Sequence, residues 1–203
     1  MLGTRTKRRD RGSAGLKPGA TTAVGEHMEF RRINIRLPGA CYIGHQWYFL
    51  TTCTQDRIPR LQNGSLVGEH LDLLTNGAKE ECFDIQAYCF MPDHVHLLVS
   101  GTHETSDCLK FINGFKQRSA FAFKQSTGKK LWQHKPYDHI LRPNERWEAV
   151  AYYIWMNPVR KGLCARAEDW PYSGSQTMDW KRRLMPPEEL WVPPWKKRRS
   201  AVL

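Results

Sequence analysis

Residues 85–100 read IQAYCFMPDHVHLLVS, and the fold is decided there. Two apolar runs, Ile85 to Phe90 and Val95 to Val99, flank Met91-Pro92-Asp93. Proline pre-sets a turn and aspartate stabilises it through its side chain, so the stretch reads as a β-hairpin. The returning strand opens with His94-Val95-His96. Side chains two apart on a strand share a face, which sends both imidazoles to one side and Val95 to the other. Two neutral imidazoles side by side can hold one metal ion, with further ligands from elsewhere in the chain. His-x-His alone occurs in zinc hydrolases, cupins and plain strands, so a second stretch has to support it.

Outward from the hairpin the elements alternate. Before it, WYFLTTCT from Trp47 is a β-branched and aromatic strand followed by the polar loop QDRIPRL. Over 65–82, Leu66, Leu71, Leu73, Leu74, Ala78 and Cys82 recur at helical spacing. After it, Thr105-Ser106-Asp107 offer N-caps for a helix to about Ser126. That helix points Leu109, Ile112, Phe115, Ala120 and Phe123 inward, and Lys110, Lys116, Arg118 and Lys124 outward. LWQHKPYDHIL then forms a short aromatic strand region. Strand, helix, strand, strand, helix, strand predicts an α+β, ferredoxin-like βαββαβ sheet with its helices on one face.

One more helix is appended, NERWEAVAYYIWMNP, with Pro143-Asn144 as its start signal and an end or kink at Asn157-Pro158. Trp147, Val150, Ala151 and Ile154 form its core face. A second stripe carries Arg146, Ala149, Tyr153, Asn157 and Arg160. It presents a phenol and, one turn later, an amide oxygen, bracketed by two arginines. A phenol is a workable nucleophile when a metal or base helps its proton leave, and arginines hold phosphate oxygens. The competing reading makes Tyr153 an ordinary half-exposed helix aromatic.

The chain of 203 residues carries a net charge of +11, which suits a polyanionic partner. The charge is uneven: residues 1–27 hold +4 and 180–203 hold +5, leaving +2 for 28–179. This divides the chain into a disordered basic arm (1–27), a domain (28–179) and a basic Trp/Pro-rich tail (180–203). The arm is either a nucleic-acid contact or an extension upstream of a start at Met28. The tail is either an ordinary polybasic terminus or a segment stacking on bases through Trp191 and Trp195. Six cysteines without a C-x-x-C pair read as thiols in a reducing cytosol, four of them in apolar or helical patterns that bury them. No apolar run approaches a membrane span.

MPDHVHLLV, then YIWMNPVRKGL and EDWPYSG, together resemble the REP-associated tyrosine transposases, within the single-tyrosine HUH transposases. The likeness runs over about residues 42–175; Ser173-Gly174-Ser175 departs from the family's usual Ser-Ser. The resemblance implies that His94, His96 and Asn157 bind Mg²⁺ or Mn²⁺ and that Tyr153 is the nucleophile. It implies cleavage and joining of single-stranded or hairpin DNA through a 5′-phosphotyrosine. Candidate DNA contacts are Lys116, Arg118, Arg146 and Arg160. It also implies a bacterial, cytoplasmic, nucleoid-associated protein with no membrane partner, a monomer in preference to a homodimer. The alternative is a hairpin-binding module with a decayed active site.

Overall fold

The computed structural model describes residues 37–197, so the arm expected over 1–27 lies outside it. The strand expected from Trp47 is β1 (Trp47–Cys53). It is followed by α1 (Gly64–Glu80), the hairpin of β2 (Phe83–Met91) and β3 (His94–Gly101), α2 (Cys108–Thr127) and β4 (Tyr137–Ile140). Both long helices start on side-chain caps. Asn63 accepts from the Ser65 and Leu66 amides, and Asp107 from Lys110. Helix α2 stops at Gly128, whose φ of 70° is the left-handed conformation that closes a helix at low cost.

The strands form one antiparallel sheet in the order β4-β1-β3-β2-β5, where β5 is the short Ser173–Gly174 pair on the β2 edge. The first four strands follow the ferredoxin-like order that the sequence predicts. Helices α1 and α2 cover one face, burying Leu74, Phe111 and Phe115 against Tyr48, Leu50, Val95 and Leu97. The other face carries Phe49, Ala87, Leu98 and the appended helix α3 (Trp147–Trp155). Strict alternation along β2 would place Ile85 and Ala87 together, yet they lie on opposite faces. A bulge between them shifts the register, so Ile85 faces Val99 while Ala87 faces Leu98. That shift carries Cys89 and Met91 to the α3 side, opposite His96 and His94.

Helix α3 begins at Trp147, later than the Pro143-Asn144 signal predicts. The Glu145 side chain explains the delay. Its carboxylate accepts from the Arg142 amide (2.9 Å), His139 Nε2 (2.7 Å) and the Trp191 indole (2.9 Å), which holds 142–145 in a closed turn. At the other end Met156 interrupts the helix, and Asn157-Pro158 opens the separate turn α4 (Asn157–Arg160). Neither stripe of α3 is left open: Ala149, Val150, Ala151, Tyr153, Ile154 and Trp155 are all buried.

The segment after residue 180 packs on this face. Trp180 meets Trp155 at 5.5 Å between ring centroids, and Trp191 is buried in the α3 layer. Trp191 is thereby sequestered from the base-stacking role that its place in the tail suggests. Gly174 fits under Tyr88, where a Cβ would lie 2.4 Å from the phenol oxygen, so glycine in place of the family's second serine answers that ring. All six cysteines are free thiols, of which Cys89 and Cys108 are buried, Cys41 is exposed and the others are intermediate. Burial thus holds for fewer of them than their apolar settings predict. Among the described residues no helix is long and apolar enough to cross a membrane.

Candidate active site

The two imidazoles leave β3 on the α3 face, as the i, i+2 spacing requires, and both are 5% exposed. Each has one ring nitrogen held from behind. His96 Nδ1 lies 2.8 Å from Thr51 Oγ1, and Thr51 is its register partner on β1. His94 Nδ1 lies 2.6 Å from Asp93 Oδ1. The Asp93 carboxylate is braced in turn by Arg57 Nε at 3.0 Å. What remains is a pair of Nε2 atoms facing each other 3.0 Å apart. Burial, then the neighbouring charge of His94, pushes His96 well below the usual imidazole range, which keeps it neutral with a lone pair available.

That pair fits a divalent cation. Two adjacent ligands of an octahedral ion with bonds of about 2.1 Å stand roughly 3.0 Å from each other. Among the described residues no three His, Cys, Asp or Glu side chains converge into a metal site. A third protein ligand would therefore be a neutral oxygen. Asn157 is buried, and its amide nitrogen donates to the Tyr153 and Ile154 carbonyls at 3.0 and 3.4 Å. Its oxygen is the atom left for a ligand role.

Tyr153 lies against the same spot. Its ring centroid is 6.1 Å from that of His96 and 6.1 Å from that of Phe49. The Arg160 guanidinium sits 4.1 Å over the ring, and its Nη2 donates to the Tyr153 carbonyl. Burial pushes the phenol above its usual range, and the Arg160 cation pulls it back. A segment that the sequence assigns to the basic tail covers this ring. Trp191 packs edge-on to Tyr153 at 5.1 Å and tilted on Phe49 at 5.0 Å, and Lys196 Nζ lies 5.5 Å over the phenol ring. Leu190 to Pro193 and Lys196 thus form the outer wall of a cavity of about 180 Å³, whose inner wall is Tyr152, Tyr153 and Arg160. Tyr153 is 8% exposed.

The other candidates fall elsewhere. Arg146 is exposed, 3.9 Å from Glu148, and lines a separate groove with Trp147, Arg182 and Arg183. Lys116 and Arg118 are on α2, across the sheet from Tyr153. The Lys116 ammonium donates to the Gln133 and His134 carbonyls, and Arg118 pairs with Glu80 at 2.8 Å. Sequence reasoning missed Thr51 and Arg57. Strand parity marks Thr51 only once the β1–β3 register is known. Arg57 reaches back because Asp56 and Arg57 both take left-handed φ values, 55° and 56°, which non-glycine residues adopt at a cost. Its Nη1 also donates to Cys53 Sγ at 2.8 Å.

The chain resembles a REP-associated tyrosine transposase of Escherichia coli K12, 24% identical over 146 residues covering 71% of this chain and 81% of the relative. A Haemophilus influenzae protein assigned to the same group is 27% identical over 146 residues, covering 62% of this chain and 77% of its own length. The fold matches the solved structure of a REP-associated tyrosine transposase bound to a REP hairpin. The TM-score is 0.59 at 22% identity, over 82% of this chain and 94% of the other. Residues 43–155 match the family described as Transposase IS200 like, and with the hairpin, the imidazole pair and the tyrosine helix all inside that match, the chain belongs to this family.

Proposed function

We propose that the chain cleaves and rejoins single-stranded DNA next to a hairpin, using Tyr153 as the nucleophile. The observation that carries this reading is the packing of the Tyr153 ring against both His96 and the Arg160 guanidinium. The Tyr153 hydroxyl attacks phosphorus, its oxygen forms the new P–O bond, and the P–O3′ bond breaks. The products are a 5′-phosphotyrosine and a free 3′-hydroxyl; the phenol loses its proton and the 3′-oxygen gains one. Arg160 favours the phenolate and offers N–H donors to the phosphate oxygens. Mg²⁺ or Mn²⁺ held by His94 Nε2, His96 Nε2 and Asn157 Oδ1 would polarise the scissile phosphate. Thr51 and Asp93 keep both Nε2 lone pairs aimed at one point. Reversal on a second 3′-hydroxyl joins strands. Hairpin recognition comes from likeness to a protein solved on a REP hairpin.

A second reading, hairpin binding without cleavage, draws on the cover over Tyr153. One experiment separates the two. Full-length protein is incubated with Mn²⁺ and a hairpin oligonucleotide bearing a single-stranded flank, then run on a denaturing gel. Wild type and Tyr152→Phe should form a covalent adduct, and Tyr153→Phe should form none while still binding the hairpin. An adduct that persists in Tyr153→Phe and vanishes in Tyr152→Phe defeats the assignment. Hairpin binding with no adduct in any variant supports the second reading.

A further inference from the structure

Two loops meet at the end of the sheet where the imidazoles sit. Backbone hydrogen bonds stitch 54–62 to 128–136: Gln55 N donates to Leu131 O (2.7 Å) and Gln133 N to Cys53 O (2.9 Å). The first loop is also fixed to the β2–β3 hairpin, with Thr54 N donating to Asp93 O and Leu61 N to Pro92 O, both at 2.9 Å. Cys53, where β1 ends and the first loop begins, is the register partner of His94.

The two stitched loops carry Arg57, Arg60, Lys129, Lys130 and Lys135, and the only acid they contain is Asp56. Arg57 is tied to Asp93. Among the described residues, Arg60, Lys129, Lys130 and Lys135 have no carboxylate partner. Arg60 lies 5.6 Å over the Phe123 ring with its Nε buried and unpaired. The second loop is held in place by the two Lys116 bonds to the Gln133 and His134 carbonyls. Lys116 thus works as a bracket for the cations beside it.

We infer that this loop pair is a binding surface for the phosphate backbone of duplex DNA, the stem of a hairpin whose single-stranded flank enters the Tyr153 site. The inference deepens the proposed function and rests on it for the hairpin. Exposed lysines without a carboxylate partner, carried on two loops that are stitched together, fit a polyanion. The patch offers no exposed aromatic ring, since its one aromatic, Trp132, is buried at 3% exposure. Single-strand grooves use such rings as stacking platforms, so a ring-free cationic surface favours a paired backbone. Its position beside His94 would lead the strand leaving the stem towards the imidazoles.

The test is the salt dependence of binding for the full chain and the triple variant Lys129→Gln, Lys130→Gln, Lys135→Gln. The probes are a hairpin, a blunt duplex and an unstructured single strand. Each lost phosphate contact takes about 0.9 from the slope of log K against log salt, so the variant's slope should fall by about 2 to 3 on hairpin and duplex. The single-strand slope should change by less than about 1. An unchanged hairpin slope overturns the inference, and so does an equal fall on all three probes. Circular dichroism establishes that the variant folds, and Arg60→Gln should lower the duplex slope by a further step. A normal adduct yield with an unchanged slope sinks the patch and keeps the cleavage reading; a patch-dependent slope without any adduct does the reverse.

Discussion

Under the proposed function, Trp191→Ala should speed adduct formation and make the protein less stable at once. Trp191 is 8% exposed, and its ring lies against Phe49, Tyr153 and His139 while its indole nitrogen donates to Glu145. Burying about 200 Å² of tryptophan at about 25 cal/mol per Å² gives roughly 5 kcal/mol as an upper bound. Half of that, about 2.5 kcal/mol, is a reasonable share for holding the 190–196 segment down, because an unfolded reference state already buries part of the ring. At about 1.4 kcal/mol per decade the segment would open some fifty- to a hundredfold more often in the variant. If the flank must displace this segment to reach Tyr153, adduct formation should accelerate by up to that factor and level off once opening no longer limits. The assay is single-turnover adduct formation on a hairpin with a free flank, alongside thermal melting. A folded Trp191→Ala protein whose rate is unchanged or slower refutes the reasoning and makes the segment part of the working site.

Two further outcomes follow from the groups behind the site and in the core. Thr51→Val keeps the shape of the side chain but removes the oxygen beside His96 Nδ1, and Asp93→Asn weakens the contact to His94 Nδ1. Each should lower Mn²⁺ affinity by about ten- to a hundredfold in a calorimetric titration, and affinity within twofold of wild type would count against a positioning role. His70 is fully buried, and burial lowers its basicity below the ordinary value of 6.5. Below that pH the unfolded chain takes up a proton that the folded chain refuses, so stability falls with pH through this window. The urea midpoint of metal-free protein should drop as the pH falls from about 7.5 to 5.5, and His70→Gln should flatten the dependence, by at most one proton. An identical pH slope in the variant would show that His70 does not carry it.

Those parts of the candidate site that lie close together in the chain were legible in the sequence. The period of two fixed His94 and His96 to one face, and the 3.6 period put Tyr153 and Asn157 a turn apart. What crosses elements was not. The relation of Thr51 to His96 depends on a strand register set by core packing 45 residues apart. Lys116 and Arg118 looked outward on α2, but their periodicity carries no information on which sheet face that helix covers. Trp191 reads as part of a basic tail until Glu145, 46 residues away, supplies its acceptor. The same carboxylate delays α3, so one long-range partner accounts for both a shifted boundary and an unforeseen cover over Tyr153. The left-handed pair Asp56-Arg57 has no sequence signal, because neither residue is a glycine.

The extra residue in β2 sets a rule for how this chain can change. Gln86 is held on both sides: its amide nitrogen donates to Ser100 Oγ at 3.0 Å and its oxygen accepts from Thr177 at 2.7 Å. Everything before it counts in one parity and everything after it in the other, so Phe83 and Ile85 pack under α1 and α2 while Ala87, Cys89 and Met91 pack under α3. A point substitution at 86 leaves that count intact and should cost only the local hydrogen bonds. Deleting the residue would restore simple alternation and leave both faces as they are, because Ile85 already opposes Val99 and Ala87 opposes the next residue of β3, Leu98. The bulge is therefore slack in the strand: a chain lacking residue 86 should keep both packed faces and lose only the bonds to Ser100 and Thr177, so relatives with the same paired faces are expected to differ in length at this point.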